Sequence, residues 1–324
     1  MKVIIFITTI IALFLFNFSS VFGQRTYTNT SFRAINNDKY FRFHYDNDFF
    51  TAYDQYYSQG ITLDLVHSVL KRNPINCLLI KPFKPNAQYG VSFNLFGFTP
   101  KSILSDSILF GDRPFNANAT LKFILIQNDA IKKQLISTAL SVGVMGANAK
   151  GYQIQYNIHK WLNNPLPKGW QHQIKNDVIL NYQLNYEKQL VAYKNNFLLN
   201  GIAEGRVGTV NNNVAVGLSA MVGSFAKRYT PISKPTRKKE IYVYFQNKVN
   251  FVGYDATMQG GIFNKTSPYV IAAKNINRLT YQADAGIVFN LKKLYLTYTQ
   301  SYLTKEFATG TSHRWGGVSV GLGL

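Results

Sequence analysis

The last eight residues of the chain alternate strictly between small and apolar side chains. The run is Gly317-Val318-Ser319-Val320-Gly321-Leu322-Gly323-Leu324. A period of two places successive side chains on opposite faces of a β-strand. One face of this strand is therefore apolar and the other nearly bare, a pattern typical of a strand in the wall of a transmembrane barrel.

Eleven further segments show the same alternation. They are centred on residues 41–45, 61–65, 89–95, 119–127, 134–145, 182–187, 197–208, 214–223, 241–252, 279–289 and 294–302. A soluble β-sandwich also alternates, but its outward face would be charged. Here the polar faces carry mostly Gly, Ser, Thr, Asn and Gln, which suits a closed lumen. We predict an all-β fold, a twelve-stranded antiparallel transmembrane β-barrel.

The N-terminus predicts export. Lys2 precedes an apolar run over residues 3–16, and Val21-Phe22-Gly23 offers a cleavage site, so residues 1–23 are expected to be a signal peptide. The alternative, a membrane anchor, needs about 20 apolar residues. Residues 24–324 would then form the barrel, located in the outer membrane of a Gram-negative bacterium.

The net charge of +20 favours an anionic partner. Export disfavours nucleic acid, so lipopolysaccharide and other outer-membrane lipids are the expected partners. The alternative is a generally basic proteome. We expect a monomer, although the sequence leaves the oligomeric state open. The single cysteine, Cys77, can form no internal disulfide.

Counting strands assigns every connection to one end of the barrel. With both termini in the periplasm, connections after odd-numbered strands face the exterior. These are residues 47–58, 99–117, 146–177, 209–213, 253–277 and 304–313. Short turns are expected at the other end, and the long basic segment 225–239 is the one exception that we expect there.

The third outer loop predicts a short helix from Gly151 to Asn164. Ile154, Ile158 and Leu162 recur at four-residue spacing, and Pro165 would end the helix. Its apolar face must pack on the barrel rim or the outer leaflet.

Six polar side chains collect at the exterior rim by this count. They are Asn47, Asp48, Ser58, Lys101, Gln155 and His159. An imidazole can act as a general base near neutral pH. Each residue also has a structural explanation: turn formation for Asn47-Asp48, strand capping for Ser58, and an ordinary polar surface residue for Lys101 or His159.

The common catalytic motifs are absent from the sequence. It contains no Gly-x-Ser-x-Gly elbow, no His-Glu-x-x-His helix and no phosphate-binding glycine loop. A covalent serine mechanism therefore has no motif behind it, while a His-activated water assisted by a bound cation remains open.

Several scattered motifs, in register along the chain, resemble the lipid A 3′-O-deacylase family. They are Asp46-Asn47-Asp48-Phe49-Phe50, Asp54 to Gly60, Phe98-Thr99-Pro100, Gly111 to Phe115, Gly143 to Gly146, Gln155 to His159, Gly169 to Gln173, Met258-Gln259-Gly260, Thr297 to Gln300, and Lys305-Glu306-Phe307. The resemblance implies a twelve-stranded barrel that hydrolyses the 3′ acyl ester of lipid A and depends on calcium.

The resemblance also implies roles for individual residues. His159 would be the general base, Asp48 the calcium ligand, and Asn47 and Ser58 further members of the catalytic site. Lys101 and Gln155 would bind the substrate.

Two positions depart from the family pattern. Pro165 stands where the family has an acidic residue six positions after the histidine, so a metal ligand is missing or supplied elsewhere. Lys101 follows the proline of the second loop, as the family's site lysine does, but the spacing from Pro100 to Gly111 is shorter here. The alternative function is a non-catalytic barrel that passes solutes or binds surface ligands.

Overall fold

Twelve antiparallel strands form a closed barrel in a computed structural model, which describes residues 35, 37–51, 55–82, 87–229 and 239–324. The strands are β1 (Tyr40–Asn47), β2 (Tyr56–Val66), β3 (Ala87–Thr99), β4 (Asn116–Asp129), β5 (Gln134–Met145), β6 (Asp177–Tyr193), β7 (Phe197–Gly208), β8 (Asn211–Ser224), β9 (Lys239–Asp255), β10 (Leu279–Leu291), β11 (Leu294–Leu303) and β12 (His313–Gly323). Each strand pairs with the next, and β1 pairs with β12 to close the wall. The predicted fold is confirmed, and the expected signal peptide lies outside the described residues.

The alternation of the sequence becomes the two faces of the wall. On β9, Gln246, Lys248 and Asn250 point inward and are at most 1% exposed, whereas Phe245 and Phe251 point outward and are 36% and 55% exposed. Outward apolar side chains face lipid without penalty, while inward polar groups need partners inside the lumen.

Ion pairs and hydrogen bonds fill the lumen. Arg42 pairs with Asp64, and the Lys248 ammonium lies 3.1 Å from the Glu204 carboxylate, all four side chains being at most 5% exposed. The interior along these strands is therefore packed with protein rather than open to water.

The first residues of the basic segment 225–239 enter the lumen at the end that carries the short turns, called here the turn end. Phe225, Ala226 and Tyr229 are 2–4% exposed, and the Tyr229 hydroxyl donates to Glu187. Phe225 packs on the ring of Tyr242, 5.7 Å between centroids. This segment helps to close the turn end, which accounts for part of its length; residues 230–238 lie outside the described residues.

The expectation of a single long connection at the turn end was wrong. Residues 67–86, between β2 and β3, form a second one, with two short 3-10 helices over Ser68–Arg72 and Pro74–Leu78. The described part of this segment, residues 67–82, contacts the outer face of β5 and β6 through Ile80, and its sequence lacks the period of two that marks the strands.

The opposite end, called here the loop end, carries the longer loops and the predicted helix. Helix α1 spans Gly151–Trp161, and a second, single-turn helix α2 spans Ala256–Gln259. Helix α1 ends before Asn164, because Asn163 adopts a left-handed conformation (φ 56°) and reverses the chain ahead of Pro165. In the described part of the chain, no helix has the length and apolar character to cross a membrane.

Candidate functional site on the outer rim

Helix α1 packs against the outside of the barrel wall. Its first residue, Gly151, lies so close to the wall that an added Cβ would stand 2.5 Å from Ala117 Cβ and 2.7 Å from the Trp170 ring. Ala117 shares the outward face of β4 with Leu121, which is 41% exposed. The helix therefore sits on the surface that faces the membrane, as expected, but the residues that it buries most are Gly151 and Gln155 rather than Ile154, Ile158 and Leu162.

One indole anchors this helix. Trp170 Nε1 donates to Gln155 Oε1 at 2.7 Å, and both side chains are 3% exposed. The Trp170 ring also contacts Phe115, 5.0 Å between centroids. A substrate-binding role for Gln155 stays a prediction, since here its carboxamide holds the helix to the following loop.

His159 lies one turn after Gln155 and is half-buried. Its Nδ1 lies 2.7 Å from the backbone carbonyl oxygen of Pro165. A carbonyl can only accept, so Nδ1 carries the proton and Nε2 of the neutral ring keeps its lone pair. The residue that replaces the family's acidic position thus orients the imidazole through its main chain.

Asn47 and Ser58 meet on the same outer surface. Asn47 Nδ2 donates to the carbonyl oxygen of Ser58 at 2.5 Å and to the Tyr45 hydroxyl at 3.1 Å. The Ser58 hydroxyl lies 2.7 Å from that of Thr99. A β-bulge between Tyr57 and Gln59 leaves Ser58 out of the pairing with β3, which frees it for these contacts.

Asp48 opens a 3-10 turn that folds back over the wall. The turn spans Asp48–Thr51, and the Phe50 side chain lies on Gly316 of β12, where an added Cβ would be 2.5 Å from Phe50 Cβ. Asp48 is 2% exposed, whereas Phe49 is 77% exposed. The turn thus buries one carboxylate at the rim and presents one aromatic ring to the surroundings.

Lys101 lies two residues beyond β3 and is exposed. Its ammonium stands 6.0 Å from the ring centroid of Tyr56, and its backbone N–H donates to Asp112. Tyr269 ties this loop to the loop after β9 by donating to the Asp112 carbonyl, and burial raises the pKa of its hydroxyl.

The structure thus joins Asn47 to Ser58 directly and places the other predicted residues at the same end. Thr99, the partner of Ser58, is the last residue of β3, and Phe115, which immediately precedes β4, contacts Trp170. The residues next to them, Phe98 and Asn116, pair across the two strands. The helix carrying His159 therefore lies on the same outer surface, further along the wall.

A second polar cluster, inside the lumen, escaped the sequence reasoning. His44 Nδ1 lies 2.7 Å from the Ser319 hydroxyl and its Nε2 lies 2.9 Å from Asp46, which also accepts from the Tyr57 hydroxyl. This is the order of a serine–histidine–aspartate triad, but the three residues are 3–5% exposed, so no substrate reaches the serine. The alternation of β1, which turns His44 and Asp46 inward, was the available signal.

The lumen also holds a cavity of about 130 Å³ beneath the loop end. Lys122, Arg206 and Arg113 line it, and Arg113 is engaged by Glu306 and by Thr257 Oγ1 at 2.7 Å. The wall separates this cavity from the outer surface that carries His159.

With this geometry in place, comparison with known proteins decides the family. The model of the family described as Outer membrane protein LpxR matches residues 9–324. The chain belongs to this family. The resemblance drawn from the motifs is confirmed, and the family together with the fold places the protein in the outer membrane.

One solved structure of the family has the same fold. LpxR from Salmonella typhimurium superimposes with a TM-score of 0.72 at 16% identity, covering 88% of this chain and 100% of that one. The β domain of the Bordetella autotransporter BrkA gives 0.45 at 8% identity, covering 89% and 99%. A sequence search of curated proteins finds no significant match.

Proposed function

We propose that this protein is a lipid A 3′-O-deacylase, a hydrolase that removes the acyl (acyloxyacyl) group from the 3′ position of lipid A in the outer leaflet. Its family and its barrel support an outer-membrane lipid A deacylase. The observation that carries the proposal is His159, which stands on a helix docked to the lipid-facing side of the rim and whose Nδ1 lies against the Pro165 carbonyl, so that in the neutral ring Nε2 is the nitrogen that can accept a proton. An ester buried among outer-leaflet acyl chains can reach that surface without entering the barrel.

The reaction follows from the tautomer of His159. Its Nε2 accepts a proton as water attacks the ester carbonyl carbon, and the Nδ1 bond to Pro165 stabilises the imidazolium that forms. The carbon–oxygen bond to the sugar then breaks, and the imidazolium returns the proton to the sugar oxygen. The products are a free carboxylic acid and the 3′ hydroxyl of lipid A.

The rim residues have the type of donor atom that a hard cation binds. Asp48 supplies a carboxylate, Ser58 a hydroxyl and Asn47 a carboxamide oxygen. Ca²⁺ takes oxygen ligands of these kinds. Bound there, calcium would act as a Lewis acid toward the ester carbonyl. No group of three or more His, Cys, Asp or Glu able to hold a metal occurs among the described residues, and Pro165 adds no carboxylate. Because ligand charge sets affinity, we expect weak binding, with Kd on the order of 10⁻⁴ to 10⁻³ M.

The first test replaces the base. His159→Ala should leave a heat-modifiable, folded barrel and lower the deacylation rate about 10²- to 10⁴-fold, the usual contribution of a general base. Purified protein is incubated with lipid A, and the loss of one acyl unit is followed by mass spectrometry. His67→Ala, at the turn end, is the matched control and should retain full activity. Normal deacylation by the His159 variant would eliminate the mechanism.

The second test addresses calcium without relying on turnover. Calorimetric titration with Ca²⁺ should show weak binding to the native protein and none to Asp48→Asn, because the only carboxylate of the rim set is lost. Asp106→Asn removes an exposed carboxylate of the second loop and should bind as the native protein does. Equal affinity of both variants would exclude Asp48 as the ligand.

A non-catalytic pore is the remaining candidate function. The lumen disfavours it, since most inward side chains of the strands are buried and residues 225–229 close part of the turn end. Protein inserted into planar bilayers should therefore pass no steady ion current. A stable conductance without any loss of acyl mass would favour the pore.

A further inference from the structure

The connection between β2 and β3 lies on the outer surface of the wall. Residues 67–82, called here the strap, run toward β5 and β6, where Ile80 N donates to the Tyr182 hydroxyl at 2.8 Å and the Thr138 hydroxyl donates to Ile80 O at 3.3 Å. Thr138 lies on the outward face of β5, four residues from Val142, which is 38% exposed. The strap is therefore attached to strands whose outer face contacts the membrane.

The strap extends along the outer wall, away from the turn end. Leu125 on β4 pairs with Thr138 on β5, and each lies four residues from the end of its strand. A rise of about 3.3 Å per residue and a tilt of about 40° put them roughly 10 Å from that end. Both are at most 1% exposed, although they point outward. The strap thus covers wall at the depth of lipid headgroups and the first acyl carbons.

Side chains of the strap satisfy its own backbone. Asn73 Oδ1 accepts from Ile75 N at 3.0 Å, and Asn76 Nδ2 donates to the carbonyl oxygens of Leu70 and Lys71 at 2.8 and 3.2 Å. Irregular backbone is tolerated near lipid only where its polar groups find protein partners. These hydrogen bonds let the strap lie where few water molecules are available to its backbone.

The free surface of the strap is apolar and basic. Val69, Leu78 and Ile80 are 59%, 59% and 51% exposed. Lys71, Arg72 and Lys81 are also exposed, and the strap contains no acidic residue. Apolar side chains flanked by cations are the composition of elements that lie in the interface of an anionic membrane.

We propose that the strap is a binding site for anionic phospholipid on the turn-end side of the membrane, with its cations on the headgroup phosphate and its apolar side chains among the acyl chains. A second copy of the chain fits less well, because a two-fold contact would oppose two positive straps. The strap lies outside the lumen and far from His159, so this site is independent of the proposed deacylation.

Native mass spectrometry of the purified protein can measure the headgroup preference. The protein in detergent is titrated with phosphatidylglycerol, phosphatidylethanolamine or inorganic phosphate, and retained adducts are counted. We expect phosphatidylglycerol to be retained preferentially and inorganic phosphate not to displace it. In Lys71→Gln/Arg72→Gln the affinity should fall about twenty-five-fold, since each basic residue at an anionic surface contributes roughly five-fold. Lys292→Gln/Lys293→Gln, in the β10–β11 turn at the same end, should bind like the native protein.

The single cysteine reports the depth of the strap. Cys77 is exposed on it, so a fluorophore attached there needs no other substitution. In phosphatidylglycerol vesicles, headgroup-labelled nitroxide lipid should quench it more strongly than aqueous iodide does. Equal retention of both lipids, unchanged affinity of the Lys71/Arg72 variant, dominant quenching by iodide, or a dimer that Leu78→Ser abolishes would each overturn the proposal.

Discussion

Gly60→Ala tests whether the lumenal cluster around His44 stabilises the barrel. A Cβ at position 60 would stand 1.7 Å from the Tyr57 hydroxyl oxygen and 2.1 Å from Asp46 Oδ1. Tyr57 cannot move aside easily, because it is fully buried and its ring packs between Phe98 and Trp315 at 5.7 Å from each. The methyl group must therefore separate Tyr57 from Asp46.

The size of the effect follows from the bonds at risk. The Tyr57 hydroxyl donates to Asp46 at 2.5 Å, and His44 contacts the other carboxylate oxygen at 2.9 Å. A hydrogen bond to a charged group contributes about 1.5–3 kcal/mol, and overpacking costs a further 1–3 kcal/mol. The lower backbone entropy of the unfolded alanine chain offsets about 0.4–1 kcal/mol. We expect the free energy of unfolding to fall by about 3 kcal/mol.

Equilibrium unfolding in guanidinium, from detergent and followed by tryptophan fluorescence, measures this loss. Gly205→Ala is the matched control, because Gly205 is also a strand glycine and a Cβ there would meet nothing within 4 Å. It should raise the free energy of unfolding by about 0.4–1 kcal/mol, because alanine lowers the backbone entropy of the unfolded chain and meets no obstruction in the folded one. Equal stability of the Gly60 and Gly205 variants would show that the contact between Tyr57 and Asp46 does not stabilise the barrel.

Two further substitutions probe the helix anchor and a lumenal ion pair. Trp170→Phe removes the donor to the buried oxygen of Gln155 and should lower the free energy of unfolding by about 1–3 kcal/mol. Amide exchange should become faster in α1 alone. Unchanged exchange there would show that the indole does not anchor the helix. Lys248→Met removes the ammonium that pairs with the Glu204 carboxylate, which is 2% exposed, while Arg206 and Lys122 still interact with that carboxylate. The variant should lose about 1.5–3 kcal/mol in unfolding free energy, the usual contribution of a hydrogen bond to a charged group, and the double variant with Glu204→Gln should recover part of it. A double variant as unstable as the single one would contradict this account.

The wall of the barrel could be predicted because its signal is local. Each strand faces lipid on one side and lumen on the other, so the period of two is visible in segments as short as 317–324. The parity of strands then assigns loops to ends, and the six loops expected on one side lie at one end of the barrel, although β8 begins earlier and β9 ends later than expected.

The arrangement of the rim was only partly predictable. Parity puts Asn47, Ser58 and His159 at one end, but it does not say that Ser58 sits at a bulge or that α1 packs outside the wall. Both depend on contacts between segments far apart in the chain, such as Gly151 on Ala117. Gln155 was chosen as a substrate ligand from its spacing to His159, and its indole partner comes from another part of the loop.

At the turn end, too, the positions of segments depend on contacts that the local sequence does not reveal. A stretch without strand periodicity was expected to be a short turn, yet residues 67–82 cover the outer wall through Asn73, Asn76 and Ile80. The aromatic residues of 225–229 gave no sign that they would enter the lumen, since their partners lie on β6 and β9.

The twelve strands, their inward and outward faces and the end at which each loop lies follow from an alternation that neighbouring residues carry, so they could be predicted from the amino acids alone. Which loops pack outside the wall, what fills the lumen and how His159 is oriented became known from the folded barrel. Those outcomes depend on the closure of β1 on β12 and on contacts between distant segments, which no local pattern records.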